Sequence, residues 1–242
     1  MKLRQLEIAL EDAKPFQEPK IQLEQYVTTP HLAACLLHTA ETQFGDICGK
    51  NVCDLGCGCG ILSIGSSLLG ANHCLGIDID EDALEIFQSN CEAYELNNVV
   101  ECIQADIARF SPSRNMILAK RFDTVLMNPP FGTKSNKGSI VCHIHTIYIY
   151  IYIYKMQNVK FSIIGIDMEF LHAASILASH AVYSLHKSST RAHIVKKAND
   201  FGMQAQVVAG KTIITCELIT SIYDIDISTF SFRNEIQFRI FI

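Results

Sequence analysis

The chain has 242 residues, 49% of them hydrophobic and 19% charged, with a formal net charge of -5 at pH 7. That apolar content excludes general disorder, and the acidic balance excludes a basic nucleic-acid coat, so any nucleic-acid contact must come from a local patch or a partner. The ten cysteines read as reduced thiols of an intracellular protein, because Met1 to Leu10 is a charged helical pattern and not an apolar signal region. Cys57 and Cys59 are separated by a single residue and no Cys-x-x-Cys pair occurs, so no metal site is expected.

In chain order, Leu3 to Ala13 reads as a short helix, and Pro15 and Pro19 interrupt the segment after it. After Pro30, His31 to Phe44 has helical spacing. Asn51 to Leu55 is a short apolar run that stops at glycines, which predicts a buried strand, and Ile61 to Leu69 predicts a helix capped by Gly70. His73 to Ile77 is a second strand. Glu81 to Leu96 is an amphipathic helix with Asp80 available as its cap. Val99 to Ile103 and Phe122 to Met127 are further strands, the last ending at Pro129 and Pro130. Met168 to His180 is helical, Ala181 to Leu185 a strand, Thr190 to Phe201 a helix, and the tail from Met203 is strand-forming. Strands alternating with helices predict a single α/β domain with a doubly wound, mostly parallel sheet.

Ile140 to Tyr154 is apolar apart from His143, His145 and Thr146. The run is shorter than the roughly 18–20 residues of a spanning helix, and its Ile-Tyr alternation has the period of a strand, so no membrane span is expected. The chain divides into an N-terminal lid segment over 1–46, a domain over 47–209 interrupted by an insertion at 140–166, and a strand-rich tail over 210–242.

Four constellations carry chemistry. Asp54-Leu55-Gly56-Cys57-Gly58-Cys59-Gly60 joins a strand to a helix, and its alternate glycines let backbone turn tightly and approach a ligand. The third glycine is not spaced for a dinucleotide fingerprint, since Ile61 and Ser63 occupy those positions. Asp78 ends the second strand about 20 residues on, where a carboxylate can accept from ribose hydroxyls. Gln104-Ala105-Asp106-Ile107 comes after the third strand. Asn128-Pro129-Pro130-Phe131 comes after the fourth and is the most specific. An exocyclic amino group is a poor nucleophile, because its lone pair is delocalised into the ring. An Asn oxygen and a backbone carbonyl can accept its two N–H bonds and help it pyramidalise. Proline adds no competing donor, and Phe131 offers a face for an extruded base.

The glycine loop resembles that of class I methyltransferases bound to S-adenosylmethionine. Together with Leu23-Glu24-Gln25-Tyr26, Asp78-Ile79-Asp80-Glu81-Asp82-Ala83, Asn128-Pro129-Pro130-Phe131-Gly132-Thr133-Lys134 and Ala181-Val182-Tyr183-Ser184-Leu185-His186-Lys187, it is similar to the methyltransferase-like protein five family over residues 1–139 and 167–209. The resemblance implies a Rossmann-like class I fold and methylation of N6 of one adenosine in small-subunit ribosomal RNA. It implies a heterodimer with a small zinc-binding activator, in the nucleus and cytoplasm. It assigns Gln25, Thr28, Asp54, Gly56, Cys59, Ile61, Asp78, Asp106 and Ile107 to S-adenosylmethionine, and Asn128, Pro129, Pro130 and Phe131 to the target base.

The chain also departs from that family. Val27 stands where the family has proline, which implies a less rigid lid. Ile140 to Gly165 is inserted, with Ile-Tyr four times in succession at residues 147–154. An alternating A–T tract encodes such a run, so the segment reads as translated non-coding sequence; a genuine hairpin insertion is the alternative. A basic stretch near the family's C-terminus is missing, which leaves Lys134, Lys137, Lys187 and Arg191, with Lys196 and Lys197, to meet an RNA backbone. Two other functions stay open: methylation of a protein glutamine amide by the same Asn-Pro-Pro geometry, and a catalytically impaired or mis-spliced paralogue that only binds its partner.

Overall fold

A computed structural model describes residues 1–107, 118–130, 165–209 and 236–241. Phe131, Lys134, Lys137 and residues 140–164 of the insertion lie outside the described residues.

The strands are β1 (Asn51–Leu55), β2 (His73–Asp78), β3 (Val100–Gln104), β4 (Phe122–Met127), β5 (Ala178–Leu185), β6 (Met203–Ala209) and β7 (Ile236–Phe241). They form one sheet in the order β3-β2-β1-β4-β5-β7-β6. All six pairings are parallel. Every C-terminal strand end therefore lies along one edge. Helices α1 (Leu3–Leu10), α2 (Pro30–Phe44), α3 (Ile61–Leu68) and α4 (Glu81–Ala93) contribute to the core on one face. Helices α5 (Ile166–Leu177) and α6 (Arg191–Asp200) contribute to the other. Side chains alternate between the two as the strand period requires: Val52, Leu126 and Tyr183 belong to the first core, Cys53, Val125 and Val182 to the second. No helix among the described residues is long and apolar enough to cross a membrane.

Several boundaries differ from the sequence reading; the first helix, for one, ends at Leu10 and not at Ala13. The helix before β5 ends at Leu177, and Ala178–His180 belong to the strand. The Lys120 amide donates to the Ile176 carbonyl and the Ser179 hydroxyl to the Phe122 carbonyl, so β4 draws the chain into the sheet early. Helix α4 ends at Ala93, because Glu95 takes a left-handed turn with φ 56° and the Leu96 amide folds back to the Cys91 carbonyl. Ile166, counted with the insertion in the sequence, is the first residue of α5 and packs against the second core.

The tail does more than extend the sheet's edge. β7 lies between β5 and β6, and its Arg239 is buried with Asp46 and Tyr183. The Tyr183 hydroxyl donates to Asp46 Oδ2 at 2.6 Å, Arg239 donates to the same oxygen, and His180 Nε2 lies 3.1 Å from Oδ1.

Candidate active site

Strand order reverses direction at β1, whose two neighbours are β2 and β4. The C-terminal ends of β1 and β4 therefore bound the crevice where open α/β sheets take their ligands. Register sets the motifs in a row. Leu55 is level with both Ile77 and Met127, and Asp78 with Gln104. One residue further along, Gly56 and Asn128 are neighbours although 72 positions apart in the chain (128 − 56), with Asp78 and then Asp106 on the other side.

The loop after β1 needs its glycines. Gly58 has φ +51°, and a Cβ there would lie 2.7 Å from the Phe16 ring. Gly56 has φ +69°, with the Phe170 ring in the corresponding place at 2.8 Å. Both positions require left-handed backbone and open space at once. Asp54 lies under the loop and does not line the crevice. It is buried, and its Oδ2 accepts from the Ser63 amide at 3.2 Å and hydroxyl at 2.8 Å, tying β1 to the first turn of α3. Burial, opposed by the two Ser63 bonds and added to by the Asp78 charge, pushes its carboxyl up to about 7.

Asp78 stands at the crevice. Its Oδ2 accepts from the Gly58 amide at 2.8 Å and its Oδ1 from the Asp80 amide at 3.0 Å. Burial raises its carboxyl above the usual range, against the pull of those backbone bonds. Each carboxylate oxygen has a further lone pair for a hydroxyl donor. Asp106 is half-buried just past β3, and the Ala105 amide donates to the Asp78 carbonyl at 2.8 Å, which keeps that segment beside Asp78; Ile107 is buried in the second core. Cys59 lines the crevice, and burial together with the Asp78 and Asp80 charges pushes its thiol up to about 12, so it stays protonated.

An N-terminal strap closes the row from above. Lys14 to Phe16 and Tyr26 to Thr28 share a cleft with Gly56, Cys57, Gly58, Cys59, Ile61 and Asn128. The strap is latched at its middle. Lys20 is paired with Asp80, and its Nζ is 2.6 Å from Asp82 Oδ2. Gln25 Nε2 donates to Asp80 Oδ2 at 2.6 Å, while the Lys20 amide donates to Gln25 Oε1 at 2.8 Å. Asp80 holds the N-cap position of α4, as the sequence allowed, and its carboxylate also receives the strap. Burial would raise that carboxyl; the Lys20 and Gln25 bonds outweigh it and hold it below the usual range. At the strap's end, Asn128 Nδ2 donates to Thr28 Oγ1 at 2.9 Å.

The structure thus gathers Thr28, Gly56, Cys59, Ile61 and Asn128 in one cleft, with Asp78 and Asp106 beside it and Gln25 in the latch. Pro129 is buried and Pro130 half-buried directly beyond Asn128. Lys187 and Arg191 are exposed past the end of β5, on the same edge of the sheet. Lys20 and Phe16 were not singled out from the sequence, since neither lies in a motif. The part of the cleft between strap and loop measures about 60 Å³. Beneath the strap, the glycine cradle and the Asp78 carboxylate fit S-adenosylmethionine.

Comparison with known proteins agrees. A family model described as ribosomal protein L11 methyltransferase matches residues 28–128. The rRNA N(6)-adenosine-methyltransferase METTL5 of Danio rerio is 48% identical over 209 residues, 86% of each chain, and its Drosophila melanogaster counterpart is 46% identical over 86% of this chain and 84% of its own. A crystal structure from Pyrococcus horikoshii superposes with a TM-score of 0.64 at 30% identity, covering 84% of this chain and 83% of that one. On these grounds the chain belongs to the METTL5 family of rRNA N6-adenosine methyltransferases.

Proposed function

We propose that this chain transfers a methyl group from S-adenosylmethionine to N6 of an adenosine in small-subunit ribosomal RNA, with the target base held by Asn128, Pro129, Pro130 and Phe131. The observation that carries this reading is the register of β1 and β4, which sets Asn128 beside the glycine loop. S-adenosylmethionine supplies a methyl group on a positively charged sulfur. Gly56, Cys59 and Ile61 would bound its amino-acid part, Asp78 would accept from its ribose, and Asp106 and Ile107 would meet its adenine. Gln25 and Thr28 come down from the strap. At the target base, Asn128 Oδ1 and a backbone carbonyl accept the two amino protons. This draws the nitrogen lone pair out of the ring and toward the methyl group, and one proton leaves after transfer.

Lys187 and Arg191 are proposed to meet the RNA backbone together with Lys134 and Lys137. Their exposure on the same edge of the sheet supports the first two. For the small zinc-binding activator, the supporting feature is the sheet's outer strand β3, where Ile103 and the neighbouring Ile79 are about two-fifths exposed. We place the protein in the nucleus and cytoplasm, where ribosomal RNA is made and used. The glutamine-amide reading shares the acceptor geometry, and membership of an RNA-modifying family favours RNA. The test incubates the full chain and its activator with labelled S-adenosylmethionine and small-subunit RNA, then digests the RNA to nucleosides. Label in N6-methyladenosine supports the reading; label confined to protein supports the glutamine alternative.

A further inference from the structure

We infer that Thr28 is a positioning residue for the reaction: it holds the Asn128 carboxamide with its oxygen, not its nitrogen, turned to the amino group being methylated. This rests on the reading of Asn128 as the group that accepts from the target base. A carboxamide has two ends of nearly equal shape, one an acceptor and the other a donor. An exocyclic amino group presents N–H bonds. Turned the wrong way, Asn128 would set donor against donor and repel the base it must hold. Asparagine's own torsional preferences do not choose between the two orientations, so a neighbour must. Thr28 is that neighbour, with its Oγ1 2.9 Å from Nδ2. In the structure the hydroxyl accepts from Nδ2, which leaves Asn128 Oδ1 available. Pro129 comes next without an N–H, so no backbone donor competes at that position.

Thr28 is itself held from both sides. Thr29 caps α2, its hydroxyl accepting from the Leu32 amide, and Pro30 opens the helix. Three residues before it, Gln25 is bonded to Asp80 and Lys20. The amide at the base site is therefore set by a residue of the same strap that covers the cofactor cleft. The Thr28–Asn128 bond thus joins the strap to the site of the target base.

The test compares Thr28→Val, which keeps the shape and removes the hydroxyl, with Thr28→Ser, which keeps the hydroxyl. The full chain is assayed at saturating RNA and S-adenosylmethionine, cofactor affinity is measured by calorimetry, and folding is checked by thermal melting. The expected result, read at saturating cofactor so that any change in its Kd drops out, is a kcat lowered about tenfold or more in Thr28→Val and restored to within about threefold in Thr28→Ser. An unchanged kcat with a raised cofactor Kd in Thr28→Val would show that the hydroxyl serves the cofactor alone and overturn the inference. So would a Thr28→Ser variant as slow as Thr28→Val. Should Thr28→Val not fold, Thr28→Ala removes the same hydroxyl and is read the same way. Asn128→Ala, run alongside, separates the two levels. Transfer that survives it removes the reading of Asn128; transfer lost there but intact in Thr28→Val removes only the role of Thr28.

Discussion

Replacing Asp46 with alanine tests whether the C-terminal strand is an integral part of this fold. Asp46 is 1% exposed, and its side chain receives Tyr183, Arg239 and His180. Its backbone carbonyl also accepts from the Thr124 hydroxyl at 2.6 Å. Arg239 is 6% exposed, with its guanidinium carbon 3.9 Å from the centre of the Phe44 ring. Removing the carboxylate strands a buried cation and a buried phenol. Breaking a buried ion pair in this way costs about 3–5 kcal/mol. At about 2–4 °C per kcal/mol for a chain of this size, the melting temperature should fall by roughly 6–20 °C. Arg239→Met should cost less, because Tyr183 and His180 still serve the carboxylate. Combining Asp46→Leu with Arg239→Met should recover much of the loss, since neither charge is then left buried alone. Urea denaturation followed by circular dichroism measures all three. A loss below about 1 kcal/mol in Asp46→Ala, or a double variant no better than Asp46→Ala, would refute the role given to this cluster and to β7.

Further expectations concern the cofactor, pH and the insertion. Asp78→Ala should weaken S-adenosylmethionine binding by about 1.5–3 kcal/mol, the scale of a charge-assisted hydrogen bond, and unchanged affinity by calorimetry would remove Asp78 from the site. The Asp54 carboxyl is raised to about 7 in the folded chain against roughly 3.9 unfolded, so the native state holds the extra proton between those values and this group's contribution is lost as pH rises through 7. Stability of Asp54→Asn relative to the parent should therefore improve from pH 4 to pH 8, and a pH-independent difference would contradict the raised value. A chain lacking residues 140–164 should fold and give a higher soluble yield, because Ile140 to Tyr154 is an uncharged run at strand spacing. An unfolded product, or loss of activity that the full chain has, would make the segment integral.

The crevice was legible because its parts are punctuated. Apolar runs that stop at Gly56, at Asp78 and at Asn128-Pro129-Pro130 mark strand ends, and a parallel sheet brings strand ends to one edge. What escaped were interactions with no local signature. Asp80 reads as a helix cap from its neighbours, yet its partners Lys20 and Gln25 lie 60 and 55 positions away. Arg239 sits 193 positions from Asp46, in a tail whose composition predicts strands but not which neighbour they pair with. The early end of the helix at Leu177 also has no stop signal: Ala178-Ser179-His180 would extend it, and pairing with β4 overrides that propensity.

The most direct test of the account is methyl transfer by Asn128→Ala. The variant should bind S-adenosylmethionine with an affinity near that of the parent, since Asn128 is proposed to meet the base, and should leave no labelled N6-methyladenosine in small-subunit RNA. Transfer retained at the parental rate, or cofactor binding lost together with activity, would contradict the assignment of Asn128 to the target adenosine.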